Sequence, residues 1–356
     1  MTIRRKVISL YAMMRHFATL AWIALAIAAG VLAAAAQPAE TKAPGPVPAT
    51  VRQALNLSPF YKKHVDADGL AVLGSEKVSD AAMVEAAAIV NAMLGKRDDI
   101  RRALIDNRTR IAVMAPTEMT TDIPEHGDLT PKDHWDRRAR GLGATRARPA
   151  SSCAEENLLN LPGDRYARES IAIHEFAHTI HILGLNSIDP SFEPRLRAAF
   201  QHARDKGLWT STYAGSSYGE YWAEGVQSYF DANDANNAQH NDVNTREKLA
   251  AYDAELFALV DQVFGKTSWR YVRYDVRHGR APPPDNRVTL AIANRTDVEA
   301  SIYWSGPNGE VLYRKLAAGQ AYEQKTFVGH KWQAKLPGRA PIDFVAPAAS
   351  ASWILK

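Results

Sequence analysis

Apolar residues at positions 171, 173, 176, 180 and 183 have the spacing of a buried helix, with Gly184 where a stop is expected. Upstream, Met83, Ala87 and Val90 form one stripe of an Ala-rich helix over 78–94, with Ser79 as cap and Gly95 as stop. Residues 51–63 and 100–105 predict shorter helices, and 110–115, ended by Pro116, predicts a strand. Residues 117–165 are rich in turn signals and predict irregular structure. A helix around 195–206 follows Pro190 and Pro194, and a second carries Tyr221, Trp222, Val226 and Phe230 on one face. Residues 231–244 miss the calcium-loop spacing and read as a polar loop. Asn244 with Glu247 predicts a capping-box start to one amphipathic helix ending at Gly265. Beyond prolines 282–284 the period changes to short alternating segments at 288–293, 300–304, 311–316, 322–327, 331–336 and 342–345. Turns such as Asn308-Gly309 and Ala318-Gly319 separate them, so a small all-β sandwich is expected there.

The chain of 356 residues is long enough for two domains, and the pattern predicts an α+β fold. Its formal charge of +4 comes from Arg4, Arg5, Lys6 and Arg15, within a leader that has no acidic residue. Without that leader the chain is neutral, which argues against a nucleic-acid partner. A long apolar run to Ala36, with Ala34 and Ala36 fitting a cleavage site, reads as a signal peptide over 1–36. The expected protein is therefore exported, secreted or periplasmic, with no stable membrane span after cleavage. The alternative is an uncleaved N-terminal membrane anchor. Residues 37–50, with four prolines, read as a flexible linker. Arg137, Arg138, Arg140, Arg146 and Arg148 read as a solvated basic loop. The single Cys153 forms no internal disulfide.

The chemistry-bearing stretch is His174-Glu175-Phe176-Ala177-His178. On a helix the two histidines are one turn apart on one face, where one zinc ion takes both. Glu175 beside them suits a general base for a metal-bound water. A catalytic zinc needs a third protein ligand, for which His181, Glu220 and Glu224 compete. His181 follows on the same helix. Glu220 and Glu224 are again one turn apart, so one can ligate while the other accepts a hydrogen bond from a ligand imidazole. Cys153 reads as a buried, inert thiol rather than a latency device.

These residues, together with Tyr213, resemble the catalytic domain of anthrax lethal factor and its relatives among the gluzincin metallopeptidases. The resemblance covers the two segments around 174–178 and 213–224. It implies a zincin-like domain over 51–281, with Zn2+ held by His174, His178 and Glu220 and Glu224 behind them. It further implies Glu175 as base and Tyr213, seven residues before Glu220, as the group that supports the oxyanion; Tyr218 is the rival tyrosine. At the C-terminus, Ile302-Tyr303-Trp304, Tyr313 and Thr326-Phe327-Val328-Gly329-His330-Lys331-Trp332 resemble the β domain of the von Hippel–Lindau tumour suppressor. That resemblance implies a sandwich over 283–356 with a hydroxyproline pocket at Trp304, Tyr313, Thr326, His330 and Trp332. No helical domain follows, so no ubiquitin-ligase adaptor role is implied.

The expected function is an exported zinc endopeptidase that hydrolyses peptide bonds through a zinc-bound water. Its sandwich would dock a protein or peptide substrate, proline- or hydroxyproline-rich. The alternative is a non-catalytic exported zinc-containing protein that acts through the sandwich. A retained Glu175 speaks against that alternative, since a structural site needs no base.

Overall fold

The computed structural model describes residues 43–265, 267–281, 286–306 and 309–356. The expected leader, the first part of the linker, prolines 282–284 and Asn308 fall outside the described residues. The described residues are mixed α and β and form three sheets.

Residues expected to be a flexible linker enter the fold. Strand β1 (Gly45–Pro46) pairs antiparallel with β2 (Lys63–Ala67), and helix α1 (Ala49–Leu55) lies between them. Val47, Val51 and Leu55 pack on Tyr61, Leu73 and Met114, so apolar side chains hold the prolines in place. Helix α1 is shorter than expected because Asn56 takes the left-handed conformation that ends it. Arg52 then donates to the Ser58 and Tyr61 carbonyls at 2.8 and 2.7 Å, fixing the exit.

The main sheet has the order β1-β2-β3-β4-β6-β5, where β3 is Leu70–Gly74, β4 Arg110–Met114, β5 Gly141–Leu142 and β6 Ala150–Ala154. Strands β3, β4 and β6 are parallel; β5 runs antiparallel at the edge. The strand expected at 110–115 is therefore central and wholly buried. Its unbroken Ile-Ala-Val-Met run is the signature of a parallel strand covered on both faces. Helices α2 (Asp80–Leu94) and α3 (Asp98–Asp106) follow β3, and the Ser79 hydroxyl caps α2 as expected.

The stretch 117–165 is more ordered than its turn signals suggest. It holds α4 (Lys132–Arg138), β5, β6 and α5 (Glu155–Leu158). Arg140 is no solvated residue: it is buried, paired with Glu156 at 2.5 Å and donating to the Glu118 and Ala115 carbonyls.

Helix α6 (Ile171–Thr179) packs under the sheet edge and does not stop at Gly184. It widens to a π-helix over Ile180–Leu185 and continues as α7 (Asn186–Ile188). Gly184 serves packing instead, because a Cβ there would sit 2.8 Å from Ile100 Cγ2. Four helices complete this part: α8 (Phe192–Asp205), α9 (Tyr218–Tyr229), α10 (Arg246–Tyr252) and α11 (Ala254–Phe264). The single helix expected up to Gly265 is thus two. Thr245, rather than Asn244, caps the first, and Asp253 breaks the run by accepting from Leu256 N, Trp209 Nε1 and the Tyr221 hydroxyl. Helix α12 (Tyr274–Arg277) is a single turn.

The C-terminal strands form two sheets with orders β10-β7-β13 and β12-β11-β8-β9. They are β7 (Arg287–Asn294), β8 (Ala300–Gly306), β9 (Gly309–Leu316), β10 (Ala321–Phe327), β11 (Lys331–Lys335), β12 (Ile342–Val345) and β13 (Ala351–Leu355). Their own core includes Leu290, Ile292, Ile302, Trp332 and Trp353, separate from the cluster under the main sheet. Strand β13 was not legible; it pairs parallel with β7. Among the described residues, no helix is long and apolar enough to cross a membrane.

Candidate metal centre

Helix α6 begins where the Ser170 side chain accepts from Ile173 N and Asn157 Oδ1 accepts from Ile171 N. Its apolar positions anchor it in the core; His174 is buried, and Glu175 and His178 are half-buried. Helix α9 packs antiface to it, pinned by the Trp222 indole donating to Ala177 O at 2.9 Å. That contact brings Glu220 over the two histidines.

Three donor atoms converge there. His174 Nε2 lies 3.1 Å from Glu220 Oε2 and 3.1 Å from His178 Nε2, and His178 Nε2 lies 3.3 Å from Glu220 Oε2. Ligand atoms about 2.0–2.1 Å from a tetrahedral zinc stand about 3.3 Å apart, so the triangle has the size a zinc ion requires. Two imidazoles and one carboxylate are also the ligand chemistry of a catalytic zinc. Of the three rival third ligands, the structure brings Glu220 to the histidines.

His181 lies one turn further on, packed against Phe192, Tyr218 and Trp222. Burial pushes its imidazole down to about 4, so it is a neutral core residue. Tyr218 is likewise away from the centre, with its hydroxyl accepting from Arg197 at 2.7 Å. Cys153 is buried among core residues, and burial pushes its thiol up to about 12. It is inert.

The residue that seats His174 is Gln227, one turn beyond Glu224 on α9. Its Oε1 is 2.8 Å from His174 Nδ1, while its amide nitrogen donates to Ser170 O and Glu169 Oε2 at 3.2 and 3.3 Å. Because the NH2 faces two acceptors, the oxygen must face the ring. Nδ1 therefore carries the hydrogen, and the Nε2 lone pair is left for a metal. Glu224 Oε1 stands farther from the same Nδ1, at 3.5 Å.

Behind Glu224 lie His240 and Glu169, neither signalled by the sequence. His240 Nε2 is 3.3 Å from Glu224 Oε2, without hydrogen-bond alignment, and 3.9 Å from Glu169 Oε2. Burial opposes charge on Glu224, but His240 and His174 hold it below the usual carboxylate range. Burial lifts Glu169 to about 7.

At the centre itself, burial works to lower His174, yet the Glu220 hydrogen bond and the charges of Glu175 and Glu224 push it up to about 10. For Glu220, burial opposes the charge and is overcome by the two imidazoles, which hold it well below the usual range. The Glu175 carboxylate forms no hydrogen bond or ion pair among the described residues. Tyr213 stacks on His174 with ring centroids 6.1 Å apart. Burial, with Glu220 and Glu175 adding, raises its phenol above the usual range, and Arg138, 3.4 Å from the hydroxyl, opposes the rise. It stays a donor.

Against the helix lies the edge strand β5, with Gly143 directly after it. A Cβ on Gly143 would lie 2.7 Å from His178 Cβ, and one on Gly141 would lie 3.0 Å from Glu175 Cγ. Only bare backbone fits between strand and helix.

In the sandwich the structure gathers the five side chains singled out. Trp304 and His330 rings lie 5.3 Å apart, and Tyr313 and Trp332 rings 4.9 Å apart. Trp332 is core; its Nε1 donates to Thr326 Oγ1 at 3.1 Å, and that hydroxyl sits 3.1 Å from His330 Nδ1. Tyr313 is exposed, close enough to Arg165 for its guanidinium to oppose the burial-driven rise of the phenol.

No family model matches the chain, and no curated protein does. Among solved structures, that of the Pro-Pro endopeptidase from Paenibacillus alvei is similar over 56% of this chain and 98% of that one, at 15% sequence identity and a TM-score of 0.30.

Proposed function

We propose that the protein is an exported zinc endopeptidase of the gluzincin kind, with a C-terminal module that docks its substrate. One observation carries the reading: His174, His178 and Glu220 offer three donor atoms 3.1–3.3 Å apart, with an unbonded Glu175 carboxylate beside them. A structural zinc site is closed and needs no such neighbour.

His174, His178 and Glu220 would hold the ion, which supplies Lewis-acid polarisation of the scissile carbonyl and a more acidic water. Glu175 takes the proton of the attacking water and returns it to the leaving amine. Tyr213, kept protonated by its surroundings, donates to the carbonyl oxygen as charge develops there. Strand β5 is the end of its sheet, so its outer backbone groups suit an extended peptide laid along the cleft. The grouping of Trp304, Tyr313, Thr326, His330 and Trp332 supports a pocket for a proline- or hydroxyproline-rich chain. The leader over 1–36 supports export, which N-terminal sequencing of the mature protein tests.

The deciding experiment measures zinc content and casein or gelatin cleavage for the protein and its Glu175→Gln variant. The reading expects zinc in both and proteolysis in the parent alone. Zinc in both with cleavage in neither would favour a binding role, and no zinc in either would overturn the reading.

A further inference from the structure

Beside Tyr213 stand two guanidinium groups with no carboxylate partner among the described residues. Arg138 ends helix α4, and its Nη2 stands 3.4 Å from the Tyr213 hydroxyl. Arg165 lies in the loop before α6. Its Nη1 donates to the Arg137 carbonyl, and the neighbouring Tyr166 hydroxyl donates to the Arg138 carbonyl at 2.8 Å. The two segments are therefore stapled, and both side chains are exposed. Their neighbours differ: Arg137 is neutralised by Asp133 at 2.8 Å, Arg140 by Glu156 at 2.5 Å and Arg148 by Asp128 at 2.8 Å. Of the five arginines clustered between 137 and 148, Arg138 is the one whose guanidinium ends beside Tyr213.

We infer that Arg138, with Arg165 beside it, selects peptides that carry an acidic side chain within two residues of the scissile bond. The inference rests on the peptidase reading above, in which the Tyr213 hydroxyl meets the scissile carbonyl. An extended peptide advances about 3.3 Å per residue and alternates its side chains. A carboxylate one or two residues from the scissile bond therefore reaches a guanidinium 3.4 Å beyond that hydroxyl. The fork of Arg138 matches a carboxylate with two parallel donors. Arg165 adds charge at longer range, which draws in an acidic segment and repels a basic one. Covered by the bound peptide, a pair of this kind supplies about tenfold discrimination.

The test uses the full-length zinc-loaded protein. Its cleavage sites in a denatured protein mixture are mapped by mass spectrometry, and kcat/KM is then measured on two peptides that differ by Glu against Gln at the favoured position. The inference expects Asp and Glu enriched on one side of the cut and a Glu/Gln ratio of about ten. Arg138→Gln brings the ratio to about one, Arg138→Lys keeps part of it, and Arg165→Gln lowers it less than Arg138→Gln. The ratio matters here, since Arg138→Gln lowers total activity if Tyr213 shifts. Both peptides slowed alike by Arg138→Gln, or a wild-type ratio near one, would each overturn the selectivity while leaving the peptidase reading intact. Zinc-loaded protein that cleaves nothing would instead remove the peptidase reading and this inference with it.

Discussion

Gln227 Oε1 accepts from His174 Nδ1 at 2.8 Å, and this bond sets which ring nitrogen of His174 faces Glu220 and His178. The glutamine is itself oriented by its two donations to Ser170 O and Glu169 Oε2. Gln227→Leu keeps the bulk and removes the acceptor. Zinc affinity is expected to fall 10- to 100-fold, as partners of this sort do when lost. Chelator competition on the purified variant measures it, and unchanged affinity would remove Gln227 from the centre.

Zinc binding is expected to depend on pH in one direction. His174 is raised to about 10, so its proton occupies the ligand position through neutral pH and a metal must displace it. Apparent affinity then strengthens by about tenfold per unit between pH 7 and 9, one proton leaving per ion. The metal-free fold has the opposite trend. With a folded pKa above the unfolded value, His174 contributes stability that is complete below about pH 6.5 and fades as pH rises toward 10. Urea melts of metal-free protein across that range, compared with a His174→Asn variant, test the sign.

Gly143→Ala places a methyl group 2.7 Å from His178 Cβ, and the neighbour is too close to its own backbone to yield. The strand must lift or the helix must shift, at a cost of about 1–3 kcal/mol. Because the displaced residue is a ligand, zinc retention on dialysis and peptide cleavage are both expected to drop. Gly45→Ala, where a Cβ meets nothing within 4 Å, serves as the comparison.

Asp253→Ala is expected to be among the most damaging changes away from the cleft. Its carboxylate caps α11 through Leu256 N and accepts from the buried Trp209 indole and Tyr221 hydroxyl, at 3.0, 2.9 and 2.7 Å. Losing the cap costs about 1 kcal/mol, and each orphaned buried donor about 1–3 kcal/mol. A loss of roughly 3–7 kcal/mol in urea titration is the expected result.

The sequence was most legible where one period ran long enough to show. Helices α2, α6 and α9 and the first six sandwich strands follow their apolar spacing, and the His174–His178 pair follows from helical geometry alone. Legibility failed where an element is short or its partners lie far away in the chain. Strand β5 has two residues and no apolar signal, and β6 reads Ala-Ser-Ser-Cys-Ala, whose burial comes from the sheet around it. The central place of β4 depends on which strands pair with it, which no local pattern records. Gln227 looked like one polar residue on a helix; its task is visible only once α9 lies against α6. His240 and Glu169 are brought to Glu224 from either side of α9 in sequence, so their grouping is a product of the fold.

The bare backbone of β5 also bears on how this cleft can change over time. An exposed side chain such as Arg138 can be traded for a larger or smaller one, and preference drifts by degrees. At Gly141 and Gly143 there is no intermediate step, because the smallest addition already meets Glu175, Ile171 or His178. The gap between sheet edge and helix is therefore a fixed dimension of the molecule. Variants that alter which peptides are cut should arise at such exposed positions, while the gap stays constant.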